Sequence, residues 1–333
     1  MVWEVDCRMT RPIVVFNCAR NYQPGELERD MPRVVERCEV RMTNAKDGPE
    51  LAAELAAADV LVARRDWVGR ATFEAAPRLR GIVTPGVGVE KVDVAAATEL
   101  GIAVANSPGN SVTVAESALL LMLALAKRLP MWVEAARSST EPTRGLHGIE
   151  LRGKTLGLVG LGRIGRITAE LGRAFGMHVL AYDPYVSESP LAELTSLDEV
   201  LRRADFVSLH PVLTPETHHL INAERLALMK PTAYLVNTSR GGVIDEAALI
   251  EALRAGRLAG AGLDVFEVEP PAHDNPLLSM PNVIGTPHGL SHTDESMLRC
   301  AAMTEENVLA LLDGRRPPYL VNRNVQWRAL QPA

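Results

Sequence analysis

Beyond residue 151 short apolar runs alternate with stretches of helical spacing. KTLGLVG, HVLAYDP, DFVSLHP, AYLVNTS, GAGLDVF and NVIGTPH read as β-strands. After the first run, Ile164, Ile167, Leu171, Ala174 and Phe175 recur at spacings of three and four, which is one face of an α-helix. Asp245 opens DEAALIEALRAG, where its carboxylate can accept from the unserved amides of a first helical turn. Strands alternating with crossover helices predict a parallel sheet covered by helices.

Residues 12 to 104 repeat the pattern more weakly. PIVVFN, DVLVA, LRGIVTPG and GIAVAN supply strands, and ELAAELAAA and VDVAAATEL supply short helices, which predicts a second, smaller α/β unit. Between the two, NSPGNS is turn chemistry, followed by a long apolar helix from about Val112 to Lys127 that crosses from one unit to the other. Its apolar run, Ala118 to Ala126, is far shorter than the roughly 20 residues that span a bilayer, so it reads as a buried helix. RSSTEPTRGLHG, residues 137 to 148, reads as a surface loop.

Length and composition narrow the class. At 333 residues the chain suits two domains, and 47% hydrophobic with 23% charged residues is ordinary for a globular protein. A net charge of -6 gives no electrostatic footprint for nucleic acid or for an anionic membrane. Cys7, Cys18, Cys38 and Cys300 show no CxxC spacing, which points to reduced thiols in a cytoplasmic protein. The N-terminus mixes acidic residues into the place where a signal peptide needs a basic start and an apolar run.

In TLGLVGLGRIGR, Gly160, Gly162 and Gly165 form GxGxxG directly after a strand and at the start of a helix. There the first glycine permits a tight turn, the second lets a pyrophosphate approach, and the third allows helix to pack on strand, with the amides of Arg163 and Ile164 at the positive helix end. Asp183 closes the next strand, where a carboxylate accepts from ribose hydroxyls and repels a 2'-phosphate. The pattern therefore predicts NAD, in preference to NADP.

Arg240 in VNTSRGG, Glu269 in DVFEVEP and His288 in TPH each follow a predicted strand, on the edge where open α/β sheets bind ligands. Reduction of a 2-oxo acid needs a carboxylate anchor, a proton for the carbonyl oxygen, and a group that steadies the proton donor. A planar, permanently charged guanidinium, an imidazole and a carboxylate meet those needs. His288 and His292 are four apart, as metal ligands on one helical face would be, but Pro287 and Gly289 favour a turn, and no third ligand with suitable spacing is apparent. No metal site is expected.

GLVGLGRIGR, LVNTSRGGVIDEAAL, GAGLDVFEVEP and TPH, in this order, resemble the D-isomer-specific 2-hydroxyacid dehydrogenase family, and the resemblance runs from about residue 10 to 325. It implies a Rossmann-type, doubly wound nucleotide-binding domain over 106 to 290, inserted into a smaller flavodoxin-like substrate-binding domain made of 1 to 105 and 291 to 333. It implies a homodimer through the nucleotide domain. His288 becomes general acid and base, Glu269 its partner, and Arg240 the substrate anchor. Val87 and Gly88 in TPGVGVEKVD match a loop whose amides hold the substrate carboxylate, and Asn110 lines the same cleft. Arg163, Ile164, Asp183, Pro211, Thr217, Thr238 and Asp264 fall at cofactor contacts, with Asp264 meeting the nicotinamide carboxamide.

Departures from the family pattern bear on the substrate. Thr84 stands where relatives acting on phosphorylated substrates often carry Arg, which makes phosphoglycerate less favoured than glyoxylate or hydroxypyruvate, although PGNSVTVAE resembles the phosphoglycerate branch. HPVLT replaces the usual HVPLT, and PHGLSHT replaces PHIGSAT, so that His292 occupies the place of a small residue. Arg64, Arg65 and Arg144 are candidates to meet an anionic substrate, but solvated surface arginines are the better reading. Formate dehydrogenases share the scaffold but pair the histidine with Gln, where this chain has Glu269. The alternative to an oxidoreductase is an NAD-binding, corepressor-like or sensing protein without significant turnover. The intact set of Arg240, Glu269 and His288 argues for catalysis.

Overall fold

The computed structural model describes residues 11–17, 23–64, 66–138 and 146–327. Two compact units divide the chain: Met1–Asn110 with Asp294–Ala333, and Ser111–Thr293.

The first unit is built on a five-stranded sheet. Its strands are β1 (Ile13–Asn17), β2 (Glu39–Thr43), β3 (Val60–Ala63), β4 (Gly81–Thr84) and β5 (Ala103–Asn106), in the spatial order β2-β1-β3-β4-β5 and all parallel. This is the flavodoxin-like order. Strands buried on both faces read as continuous apolar runs rather than alternations, and VLVA in β3 and GIVT in β4 are buried at every position. Val15, Leu61, Ile82 and Val104 pack against Leu51, Leu55 and Phe73 on one face. On the other, Val14, Phe16, Val60 and Val62 meet Leu27, Val34 and Val308. Val308 belongs to the helix Asp294–Leu312, which completes this unit from the far end of the sequence.

The second unit carries seven parallel strands: β6 (Thr155–Val159), β7 (His178–Tyr182), β8 (Glu193–Leu194), β9 (Phe206–Leu209), β10 (Tyr234–Asn237), β11 (Gly260–Leu263) and β12 (Val283–Gly285). They lie in the order β12-β11-β10-β9-β6-β7-β8. Strand order reverses between β6 and β9, the kind of switch point beside which open α/β sheets bind nucleotides. The predicted helices are Arg163–Ala174 and Glu246–Arg254, and the Asp245 side chain accepts from the Ala248 amide at the start of the latter.

One expectation needs correction. The apolar helix, Ser111–Ala126, is not buried all round: Leu121, Met122 and Leu125 are enclosed, while Leu120 is 50% exposed and Val112 46%. The open face carries Glu116 between Val112 and Leu120, and the apolar residues on either side of that single charge conceal it in the sequence. The segment expected to be a loop from residue 137 begins inside a helix, Leu129–Arg137, and residues 139–145, with Arg144, lie outside the described residues, as do Arg65, Cys7 and Cys18.

Candidate active site and nucleotide cradle

The turn after β6 has the shape its glycines require. Gly160 has φ 96°, and its amide donates to the Tyr182 carbonyl at 2.8 Å. A Cβ on Gly165 would lie 2.2 Å from the Gly160 carbonyl oxygen, so no other residue fits there. A Cβ on Gly162, by contrast, would meet nothing within 4 Å, and the space beside this glycine is open, of the kind a phosphate can enter. Gly162 also caps the helix Arg163–Ala174 without any side-chain bond to its first amides. Those amides, with Arg163 exposed and Ile164 half-buried, make a helix end of the kind that can bind an anion.

Asp183 stands just past β7 with both oxygens engaged: Oδ2 accepts from the Leu161 amide at 2.7 Å and Oδ1 from the Tyr185 amide at 2.9 Å. The carboxylate is thereby held against the glycine turn. Thr238, after β10, encloses a hydroxyl with no partner among the described residues, a polar atom suited to a bound group. The cradle fits a dinucleotide.

Pro211 and Thr217 lie on the loop after β9, where the Thr217 hydroxyl donates to the Val212 carbonyl at 2.6 Å and accepts from the Thr214 amide at 2.8 Å. Thr217 therefore shapes its own loop. Asp264, 4% exposed, follows β11, and its Oδ1 accepts from the Thr286 hydroxyl at 2.7 Å, the Gly289 amide at 3.1 Å and the Leu290 amide at 3.3 Å.

Arg240, Glu269 and His288 stand beyond the carboxyl ends of β10, β11 and β12. His288 Nδ1 meets Glu269 Oε2 at 2.8 Å, and Glu269 Oε1 accepts from the Phe266 amide at 3.3 Å. Burial pushes the Glu269 carboxyl up, but the hydrogen bond and charge of His288, the Phe266 amide and the charge of Arg240 pull it below the usual carboxylate range. An ionised Glu269 accepts from Nδ1 and leaves the opposite ring nitrogen, Nε2, to exchange protons. Arg240 Nη1 donates to the Ser239 carbonyl at 2.6 Å. The residue after it, Gly241, is pressed onto the loop that carries Glu269: a Cβ there would lie 1.9 Å from the Phe266 carbonyl carbon.

His288 has φ 55°, in the left-handed region that favours glycine. Its amide donates to the Asp264 carbonyl at 2.7 Å and the Thr286 carbonyl at 3.0 Å, which hold the residue in that conformation. His292 is exposed in the following turn, and its amide donates to the Gly289 carbonyl at 3.0 Å. The two histidines do not share a helix, and among the described residues no cluster of three or more His, Cys, Asp or Glu is arranged to hold a metal.

In the first unit, Val87 and Gly88 follow β4 and are half-buried. The Val87 carbonyl accepts from Asn106 Nδ2 at 2.7 Å and the Gly86 carbonyl from the Ser107 amide at 2.8 Å, which clamps this loop to the end of β5. Asn110 encloses an Oδ1 without a partner among the described residues. Arg64, at the end of β3, is half-buried rather than fully solvated.

Two features had no signal in the sequence. His210, just past β9, packs under the glycine turn with Nε2 3.0 Å from the Ser208 hydroxyl, and burial pushes its pKa down to about 4. A second histidine and carboxylate pair, His219 Nε2 and Glu267 Oε1 at 2.6 Å, lies on the loops neighbouring Arg240 and Glu269, with the His218 ring stacked on His219.

A sequence profile described as D-isomer specific 2-hydroxyacid dehydrogenase, NAD binding domain, matches residues 119–289, about half of the chain. The chain belongs to the D-isomer specific 2-hydroxyacid dehydrogenase family. Within this family it is 44% identical over 304 residues to a D-3-phosphoglycerate dehydrogenase of Methanocaldococcus jannaschii, covering 89% of this chain and 58% of that protein. The chain thus spans little more than half the length of that relative. It is 41% identical over 313 residues to a glyoxylate reductase of Thermofilum pendens, covering 90% of this chain and 92% of that protein. A crystal structure of D-lactate dehydrogenase from Aquifex aeolicus, complexed with NAD and lactic acid, superposes with a TM-score of 0.78 at 33% identity, covering 91% of this chain and 96% of that one. The segment matched as the family's NAD binding domain contains the glycine turn, Asp183, Arg240, Glu269 and His288. Among the described residues, no helix of this family member is long and apolar enough to cross a membrane.

Proposed function

We propose that this chain is an NAD-dependent oxidoreductase that interconverts a D-2-hydroxy acid and a small 2-oxo acid, with 106 to 290 as the NAD domain and 1 to 105 plus 291 to 333 as the substrate domain. The observation that carries this reading is His288 Nδ1 at 2.8 Å from an ionised Glu269, with Arg240 on the neighbouring strand end. Bound NADH supplies the hydride for reduction of the carbonyl carbon. Arg240 holds the substrate carboxylate through its planar fork and polarises the adjacent carbonyl. His288 delivers its Nε2 proton to the oxygen as charge develops there, and recovers a proton from solvent; in oxidation it removes the hydroxyl proton. Glu269 keeps its charge throughout, so it steadies the imidazolium and is not itself the proton source.

The amides of Val87 and Gly88, with Asn110, are assigned to the substrate. Gly160, Gly162, Arg163, Ile164, Gly165, Asp183, Pro211, Thr217, Thr238 and Asp264 are assigned to NAD. Thr84 offers no cation for a phosphate, which favours glyoxylate or hydroxypyruvate over a phosphorylated acid. The helices Ser111–Ala126 and Leu129–Arg137 leave Val112, Leu120, Leu129 and Trp132 exposed, an apolar surface that supports a homodimer through the NAD domain of a cytoplasmic enzyme.

The test is NADH oxidation by the purified protein with glyoxylate, hydroxypyruvate, phosphohydroxypyruvate and branched 2-oxo acids. Turnover with one of the first two is expected, and His288→Ala is expected to lower kcat at least about a hundredfold. Failure with the whole panel, or near-normal turnover in His288→Ala, removes the proposal.

A further inference from the structure

We infer that Asn237 is a positioning residue that sets the approach of Arg240 to the substrate, an inference that rests on reading Arg240 as the carboxylate anchor. Asn237 closes β10 and is fully buried. Each polar atom of its side chain serves one of the next three residues: Oδ1 accepts from the Ser239 amide at 3.0 Å and the Ser239 hydroxyl at 2.8 Å, and Nδ2 donates to the Arg240 carbonyl at 2.9 Å. The amide's orientation is fixed by these partners, since an N–H faces one end and a carbonyl the other.

Arg240 needs such support. It lies beyond the last ladder pairs of β10, Asn237 with Leu209 and Asn237 with Leu263, in an extended conformation (φ −144°, ψ 142°). Its carbonyl also accepts from the Val243 amide at 3.2 Å, and the 3-10 turn Gly241–Val243 follows at once. One buried amide and one tight turn thus determine where the guanidinium leaves the main chain.

The main chain of Asn237 extends this arrangement sideways. Its carbonyl accepts from the Asp264 amide at 3.0 Å, and the Asp264 carbonyl accepts from the His288 amide at 2.7 Å. A row of hydrogen bonds therefore runs from the Arg240 carbonyl through Asn237 and Asp264 to His288, across the carboxyl ends of β10, β11 and β12. The anchor and the proton donor share a frame in which Asn237 is the member tied to Arg240. Few side chains fit the position: an ionised Asp offers only acceptors and sets an oxygen against the Arg240 carbonyl, and Ala offers nothing.

The experiment is Asn237→Asp, alone and combined with Arg240→Lys, followed by steady-state kinetics, NADH titration, thermal melting and a crystal structure. We expect KM for the 2-oxo acid to rise about tenfold or more while the NADH dissociation constant changes less than about twofold, because a misplacement of about 1 Å at an anchor weakens catalysis strongly. In the Arg240→Lys background the same change is expected to add less than about twofold, since its target has already been altered. Parallel loss of NADH affinity and melting temperature with an unchanged KM for the acid would overturn the inference. Should Asn237→Asp fail to fold, Ser239→Ala removes one of the three bonds, and about threefold in the same KM is expected; no change overturns it. If the wild type reduces none of the acids, the functional reading has failed separately, and crystal structures decide: the Arg240 guanidinium shifted by about 1 Å in the variant supports positioning, and an unmoved one overturns it.

Discussion

All eight histidines fall in the seven-stranded unit, whereas all four cysteines fall in the sequence spans of the five-stranded one. The described thiols, Cys38 and Cys300, are buried, and burial pushes both up, away from reactivity. The strand ends differ in the same sense. At the end of the five-stranded sheet, Asn106 is bonded to the Val87 loop, but Asn17 and Thr84, 2% and 6% exposed, have side-chain polar atoms with no partner among the described residues. At the end of the seven-stranded sheet, Asn237 and Asp264 are equally buried and are bonded to the loops that present Arg240 and His288. Both sheets are parallel, so architecture alone places ligands at either edge. The residues proposed for proton transfer stand at the edge where Asn237 and Asp264 are bonded to the loops that carry them.

Acid should separate the two units most. The pKa of His210 is pushed from 6.5 to about 4 in the fold, so between those values the unfolded chain binds a proton that the folded chain does not. Stability of the seven-stranded unit therefore falls as pH drops through this window, by about 2 kcal/mol between pH 7 and pH 5, while the five-stranded unit has no histidine to contribute. Hydrogen exchange, corrected for intrinsic rates, should show β6 and β9 losing protection relative to β3 and β4. Equal loss in both sheets breaks the comparison.

Glu269→Gln comes next. The amide keeps the size of the side chain but removes the charge beside His288, and reduction should slow about tenfold, or about 1.4 kcal/mol. The decline expected of the wild type at acid pH, as Glu269 with its lowered pKa takes up a proton, should be absent, because the amide does not titrate. A pH profile that superposes on the wild type would mean that Glu269 is only a spacer.

The smallest effects come from one substitution made at both edges. Thr286→Val deprives buried Asp264 of a hydrogen bond and should lower stability in urea by about 1 kcal/mol. Thr84→Val removes a hydroxyl that has no partner, and should leave the midpoint within about 0.5 kcal/mol of the wild type or raise it. Equal costs would show that the two edges are built alike.

Much of this was legible in the chain. The apolar runs gave both sheets because strands buried on two faces need no alternation to stand out. β2 and β8 carry no such signal: EVRMT is a half-exposed edge with a single buried position, and β8 is two residues, one of them Glu193. The helix Asp294–Leu312 was masked by its own buried face, where Ser296, Thr304, Glu305 and Asn307 break the apolar period. Of the site, GxGxxG and the residues after each strand could be read because they occupy positions fixed by topology. The support of Arg240 by Asn237, the burial of His210 and the backbone of His288 depend on contacts between segments far apart in sequence, and spacing does not encode them.

The left-handed backbone of His288 has a consequence for inheritance. Most residues resist that conformation, but asparagine accepts it readily, and a histidine codon becomes an asparagine codon by a single base change. One such event removes the imidazole that meets Glu269 and puts in its place a side chain whose backbone accepts the loop's conformation. If His288 acts as proposed, a single base change separates a gene for a dehydrogenase from one for a protein that binds the nucleotide without turnover.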